Sequence, residues 1–323
     1  MVNDMSGYLR LARSLCRRAG LYAVVCSLFL TVFAEAKAQR KASSSRPVAS
    51  ALIVQTEPNA TIWLNDVRCG TTDGQGNLRV GRVPAGSYLL RVRARGFKEA
   101  SLPVRVPSAR AVRIRLARTN DQAELAFQQA EELRERAKSE EERRRAVELY
   151  RRAISARPRF AAAHVGLARA LMDLGDYDAA LAEVAAARRA RPVYPEASAV
   201  EGRVLRALGD YDAALNAYRR AIREGRGFQP EAHTGIGMIL EDRGRYEEAV
   251  AAFKRAIAQL FDTEPVLYQL LGSAYEKMEK YKEAVAAYER YLELAPNGNF
   301  APAIRSIIEQ LRQQASGNRA LPF

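Results

Sequence analysis

Gly175-Asp-Tyr-Asp-Ala-Ala-Leu181 returns as Gly209-Asp-Tyr-Asp-Ala-Ala-Leu215, then as Gly244-Arg-Tyr-Glu-Glu-Ala-Val250 and Glu279-Lys-Tyr-Lys-Glu-Ala-Val285. Its sixth residue belongs to a longer column, Ala146, Ala180, Ala214, Ala249 and Ala284, with gaps of 34, 34, 35 and 35 residues. A repeat of this length marks stacked supersecondary units, each too small to bury its own apolar face.

The other columns say what the unit is. Four residues after the alanine stand Tyr150, Val184, Tyr218, Phe253 and Tyr288, and three further on Ala153, Ala187, Ala221, Ala256 and Tyr291. Spacings of four and three put these on one stripe of a helix. Upstream runs a second stripe, Leu133, Leu167, Ile236 and Leu271, where Ala168, Gly202, Gly237 and Gly272 keep the helix thin for a crossing partner. The Gly-Asp or Gly-Arg pair between the stripes is the helix–helix turn, with glycine in the left-handed cap. Pro158, Pro192 and Pro296 close three of the units.

Length, glycine, alanine, aromatic and proline columns together make residues 125–296 resemble five tetratricopeptide repeats. The departures are Arg134 at a small-residue site, Glu201 at an apolar one, and Arg226 and Phe261 in place of the closing proline. Residues 302–313, with Ile304, Ile307, Ile308 and Leu311 on one side and Arg305, Glu309 and Arg312 on the other, suit a solvating end helix. The resemblance implies an α-solenoid whose first helices line a concave face for protein partners. That face would present Val165, Arg169, Met172, Arg203, Arg206, Met238 and Gln269, a set suited to an acidic peptide or a terminal carboxylate. Glu196, Glu231 and Glu241 stand near enough to neutralise the arginines in place.

The front of the chain gives a compartment. Arg10, Arg13, Arg17 and Arg18 precede an apolar stretch, Ala19 to Ala34, followed by small-x-small pairs ending at Ala38. This is the pattern of a secretory signal peptide, read as residues 1–38 with Gln39 as the new terminus. The alternative is an uncleaved inner-membrane anchor, although a span needs about 20 apolar residues. Residues 39–50 read as a flexible linker. Cys16 and Cys26 lie in the segment to be removed, which leaves Cys69 without an internal disulfide partner.

Between linker and repeats, residues 51–118 change from helical to alternating periodicity, as in Leu90-Arg-Val92 and Val104-Arg-Val106. Turn signals at Pro58-Asn59, Asp73-Gly74, Pro84-Ala-Gly86 and Gly96 divide some six or seven short strands, which make a compact sandwich. Glu57-Pro-Asn-Ala60, Val83-Pro-Ala-Gly-Ser-Tyr88 and Gly96-Phe97 together resemble a PEGA domain, a family of small β-sandwiches in exported and surface proteins. The fold class is thus multidomain and mainly α: about five helix pairs (119–298) with a capping helix and tail (299–323), preceded by a small all-β sandwich.

Charge is divided unevenly. Of the net +14, residues 51–118 hold twelve basic and four acidic groups, while residues 119–323 balance at 31 of each. Alternation places Arg91, Arg93, Arg95, Arg105, Arg113 and Arg115 on outward faces. Were their strands neighbours, they would form a positive sheet face for an anionic cell-wall polymer or a membrane surface, not for nucleic acid. The plainer account is solubility and edge protection.

Little in the chain asks for catalysis. His164 and His233 occupy one repeat slot and lack partners at metal-ligand spacing, and no phosphate loop, His-Glu-x-x-His or Gly-x-Ser-x-Gly is present. No catalytic residue, metal or cofactor is expected. The expected function is an exported, periplasmic or envelope adaptor that holds a protein or peptide partner. Alternatives are a cell-wall or polyanion binder acting through the β domain, and an accessory subunit of an envelope assembly machine.

Overall fold

Residue alternation becomes two sheets. The structure, a computed structural model, describes residues 50–65 and 67–315, so the signal reading of residues 1–38 and the linker reading of 39–50, save Ser50, lie outside the described residues; Ser50 opens β1 rather than closing a linker. The strands are β1 (Ser50–Gln55), β2 (Thr61–Leu64), β3 (Val67–Thr71), β4 (Asn77–Val83), β5 (Gly86–Arg93), β6 (Ala100–Val106) and β7 (Val112–Arg113). One sheet runs β4-β1-β7 and the other β3-β2-β5-β6. Leu52 and Val54 from the first meet Ile62, Leu64, Leu90 and Val92 from the second, all fully buried. Apolar burial of this kind contributes about 1.5–3 kcal/mol per large side chain before entropy is counted. The β1–β2 turn leans on Gly76, whose φ of +79° and place against the Thr56 carbonyl leave no room for a side chain.

The helical stripes become hairpins. In chain order the helices are α1 (Gln122–Arg136), α2 (Glu140–Ala156), α3 (Ala161–Asp173), α4 (Tyr177–Ala190), α5 (Pro195–Ala207) and α6 (Tyr211–Glu224). They continue with α7 (Pro230–Asp242), α8 (Tyr246–Gln259), α9 (Pro265–Lys277), α10 (Tyr281–Leu294) and α11 (Ala301–Ala315). Helices α1 to α10 pack in successive pairs, and α11 covers the last pair with Ile304, Ile308 and Leu311. Odd-numbered helices also touch the next odd-numbered helix, so α1, α3, α5, α7 and α9 form the inner wall of the stack.

Local chemistry explains the hairpins. Gly175 and Gly209 take φ of +81°, ending α3 and α5, and Asp176 and Asp210 then cap α4 and α6 by accepting from Ala179 and Ala213 amides at 3.2 and 3.0 Å. Ser139 and Glu142 form a reciprocal capping box on α2, and Asp121 caps α1.

Three of the five hairpins are locked by an aromatic ring seated on a glycine. A Cβ on Gly202 would stand 2.6 Å from the Tyr218 ring, on Gly237 2.4 Å from Phe253, and on Gly272 2.5 Å from Tyr288. Real side chains never approach so closely, so the ring would have to move, and the buried Phe253 has nowhere to go. Gly237→Val is expected to destabilise the array by about 1–3 kcal/mol. Thermal unfolding followed by circular dichroism checks this, and an unchanged midpoint would refute the ring-on-glycine account.

Candidate functional site

Part of the outer face of the four-stranded sheet is covered by α1. Register places Trp63 opposite Arg91 and Thr61 opposite Arg93, on the face away from the sandwich core. The Arg91 guanidinium lies 4.5 Å over the Trp63 ring, and that of Arg93 lies 5.1 Å from Trp63 and 4.6 Å from Phe127 of α1. Arg93 also donates to Glu99 at 2.8 Å and sits 3.4 Å from Glu131 of α1. Burial works against its charge, but Glu99 and Glu131 outweigh it and hold the guanidinium pKa above its ordinary value. Beside it, the buried Gln128 accepts from the Gly96 amide at 2.9 Å and donates to the Phe97 carbonyl at 2.8 Å. Strand faces and α1 are thereby joined by paired polar groups around a cation–π stack.

A second seam joins the sandwich to the far repeats. Phe261, between α8 and α9, is only 6% exposed and belongs to the β-sandwich core, edge-on to Tyr88 with ring centroids 6.0 Å apart. Phe228, between α6 and α7, packs on the same core. Both segments carry left-handed backbone, at Arg226 (φ 54°), Phe261 (55°) and Asp262 (62°). Gln259 braces them by accepting from the Gln229 amide at 2.8 Å and donating to the Gly227 carbonyl at 2.9 Å. Arg226 and Phe261 are the two residues that replace the closing proline, so these departures mark where the repeats reach out to the β domain.

Between the two seams an open cleft of about 840 Å³ remains. Its floor is the inner wall of α3, α5 and α7, with Arg169, Glu196, Arg203, Arg206, Glu231 and Met238. The β domain contributes Asn65, Val67, Ser87 and Leu89, and α9 contributes Val266 and Leu267. Arg169 pairs with Glu196 at 2.6 Å and lies 3.6 Å from Glu231, which also stands 3.5 Å from Arg203. Burial alone would raise the Glu196 pKa, but the Arg169 charge overrides it and brings it down to about 2. Burial, with Glu231 adding to it, pushes the Tyr218 hydroxyl up to about 12, so it stays a neutral donor near Arg206. Among the described residues no carboxylate pairs with Arg206, and its buried Nε has no hydrogen-bond partner.

The structure therefore brings Arg169, Arg203, Arg206 and Met238 to one cleft, with Met172 beneath Arg203, its sulfur 3.2 Å from the Arg203 Nε. Val165 belongs instead to the helical core. The arginines of the β domain do not all share a face, which corrects the expected positive sheet: Arg91, Arg93 and Arg105 lie on the outer face of the four-stranded sheet, and Arg113 belongs to the other sheet. β5 and β6 lie in one sheet and β7 in the other, and α1 covers the face that Arg91 and Arg93 occupy. Arg95 is 73% exposed and 3.7 Å from Glu132, while Arg105, Arg113 and Arg115 are exposed. Missing from the sequence reading were Leu89, Asn65, Phe228 and Phe261; the lost prolines were the available signal for the last two.

The remaining reactive groups are packed. His164 is buried between Glu183, 2.6 Å from Nδ1, and the Pro158 carbonyl, 3.0 Å from Nε2; the Glu183 contact raises its pKa, whereas burial lowers that of His233. Burial pushes the Cys69 thiol up to about 11, away from thiolate chemistry. Among the described residues no three His, Cys, Asp or Glu side chains gather closely enough to hold a metal ion.

Three sequence models described as tetratricopeptide repeat match residues 137–204, 200–265 and 266–297. Residues 137–297 are tetratricopeptide repeats. Solved structures share the fold. A thermophilic tetratricopeptide-repeat protein of Thermus thermophilus is 24% identical at TM-score 0.50, covering 59% of this chain and 98% of its own. PilF of Pseudomonas aeruginosa is 14% identical at TM-score 0.50, over 62% and 93%. The anaphase-promoting complex hetero-tetramer Cut9–Hcn1 is 17% identical at TM-score 0.52, over 61% and 37%. No curated protein sequence matches the chain. In this tetratricopeptide array the concave side is already partly filled, by the chain's own β domain.

Proposed function

We propose that the protein is a non-enzymatic scaffold whose tetratricopeptide repeats hold a segment of a partner protein in the cleft left open beside the β domain. The observation that carries this is the pairing of an unneutralised, partly buried Arg206 with an apolar rim in a cleft of ligand size. Such a surface works by equilibrium binding, and its methionine adapts to varied side chains. The amino-terminal pattern adds an exported setting, periplasmic or envelope, and the sandwich reads as PEGA-like.

The test is a photocrosslinking amino acid placed at Val266, on the rim, or at Arg219, on the exposed side of α6. In the native cell, a discrete adduct is expected from Val266 and none from Arg219. Equal labelling from both sites, or none from Val266, rejects the scaffold. The same preparation should begin at Gln39; a retained amino terminus argues for the anchor.

A second reading has its own support. The outer side of the three-stranded sheet sets the exposed Ile53 opposite Arg79 and Gln55 opposite Arg113. That small basic face suits an anionic envelope polymer. Binding through it would weaken steeply between low and high salt, whereas the cleft, with its apolar rim, would lose little.

A further inference from the structure

We infer that the cleft is a two-domain site, in which the β domain supplies one wall and, with the repeats, takes a polypeptide segment carrying a carboxylate beside an aliphatic side chain. This rests on the scaffold reading above and names its ligand. Charge is the first argument. The lining holds Arg68, Arg169, Arg203, Arg206 and Arg226 against Glu196, Glu231 and Glu264, a surplus of two positive charges. Glu196 is engaged by Arg169, Glu231 lies 3.6 and 3.5 Å from Arg169 and Arg203 with its buried Oε1 lacking a hydrogen bond, and Arg68 is held by Glu135 at 3.0 Å. Arg206 keeps a buried Nε without an acceptor. That Nε is enclosed, so an incoming carboxylate meets the accessible part of the guanidinium, beside the Tyr218 hydroxyl, and gains a charge-assisted contact there.

The apolar rim is the second argument, and it belongs to both domains. Leu89 on β5 is 47% exposed and Val266 on α9 is 48% exposed, and both line this cleft. Large apolar side chains left in water at one mouth from two domains mark a binding surface better than scattered ones do. The β wall is rigid, because Asn65 accepts from the Leu89 amide at 2.7 Å and donates its own amide to the Leu89 carbonyl at 2.9 Å.

The probes are fluorescein-labelled octapeptides, one alternating leucine with glutamate, one alternating leucine with lysine, and a glycine–serine control, titrated against the full chain by anisotropy. The glutamate peptide should bind saturably and at least tenfold tighter than the lysine peptide. Arg206→Ala and Leu89→Glu should each weaken it at least tenfold, with circular dichroism and melting midpoint unchanged. Leu89→Glu touches no repeat residue, so it reads the β wall alone. Equal binding of both peptides, preference for lysine, or no binding overturns the inference, while the Val266 crosslink decides the scaffold reading separately. Weakening by Arg206→Ala but not by Leu89→Glu also overturns it, and leaves the repeats as the whole site.

Discussion

Replacing Phe261 by alanine will free the β domain from the far repeats while the repeats stay folded. Phe261 projects from the turn between α8 and α9, yet its ring is buried in the β-sandwich core against Tyr88. The helical core beneath that turn is built by other residues, among them Phe253, Leu271 and Ala274. Phe→Ala at a buried site costs about 3–5 kcal/mol, and here the cost falls on the seam. Hydrogen exchange reads it directly, since local opening has its own free energy. Amides of β5 and of the 259–263 turn should exchange roughly a hundred- to several-thousand-fold faster, with α3 to α6 unaffected. The seam at α1 keeps the sandwich tethered, so scattering should show modest expansion without a separate domain. Uniformly faster exchange across the helices would mean that Phe261 supports the array itself.

Arg169→Met is expected to be the most damaging change on the floor of the cleft. It keeps volume but leaves Glu196 without its counter-ion and Glu231 with Arg203 alone, and breaking a largely buried pair from one side costs up to about 3–5 kcal/mol. The pair also imposes a pH dependence. The folded pKa of Glu196, about 2, lies below its ordinary 4.5. Its contribution is therefore complete above pH 4.5 and is lost as pH falls toward 2, a change on the order of 3 kcal/mol. Glu196→Gln keeps a hydrogen-bonding side chain and removes the titration, so its stability should fall less steeply with acid over that window. Urea midpoints measured at intervals from pH 6 to pH 2 make the comparison. Parallel acid limbs in the wild type and Glu196→Gln would show that the pair does not govern acid stability.

Much of the architecture could be read from residue order. The recurring alanine and aromatic columns describe contacts between a helix and its immediate neighbours, and those contacts are repeated and local. The same holds for the caps, since Asp176 and Asp210 act on amides three residues away. Four of the seven residues expected on the inner wall, Arg169, Arg203, Arg206 and Met238, do line one cleft, because first-helix positions off the packing stripe have one direction left to face. The β-domain arginines were harder. Period-two alternation says which side of a strand Arg91 occupies, but not that Phe127 and Glu131 would cover that side. A strand pattern also leaves sheet membership open, and β7 went to the sheet that β5 and β6 do not share.

Sequence by itself determined the repeat unit, its ring-on-glycine lock, the alternating sandwich and the uneven charge, because each depends on residues close in the chain or one period apart. Only the tertiary structure decided that the sandwich lies against the inner wall, held by Phe261 at one end and Gln128 at the other, and that Leu89 and Arg206 line one cleft. Those pairings join side chains far apart in the chain with no period linking them. They form only once the stacked helices have set the curve into which the β domain fits.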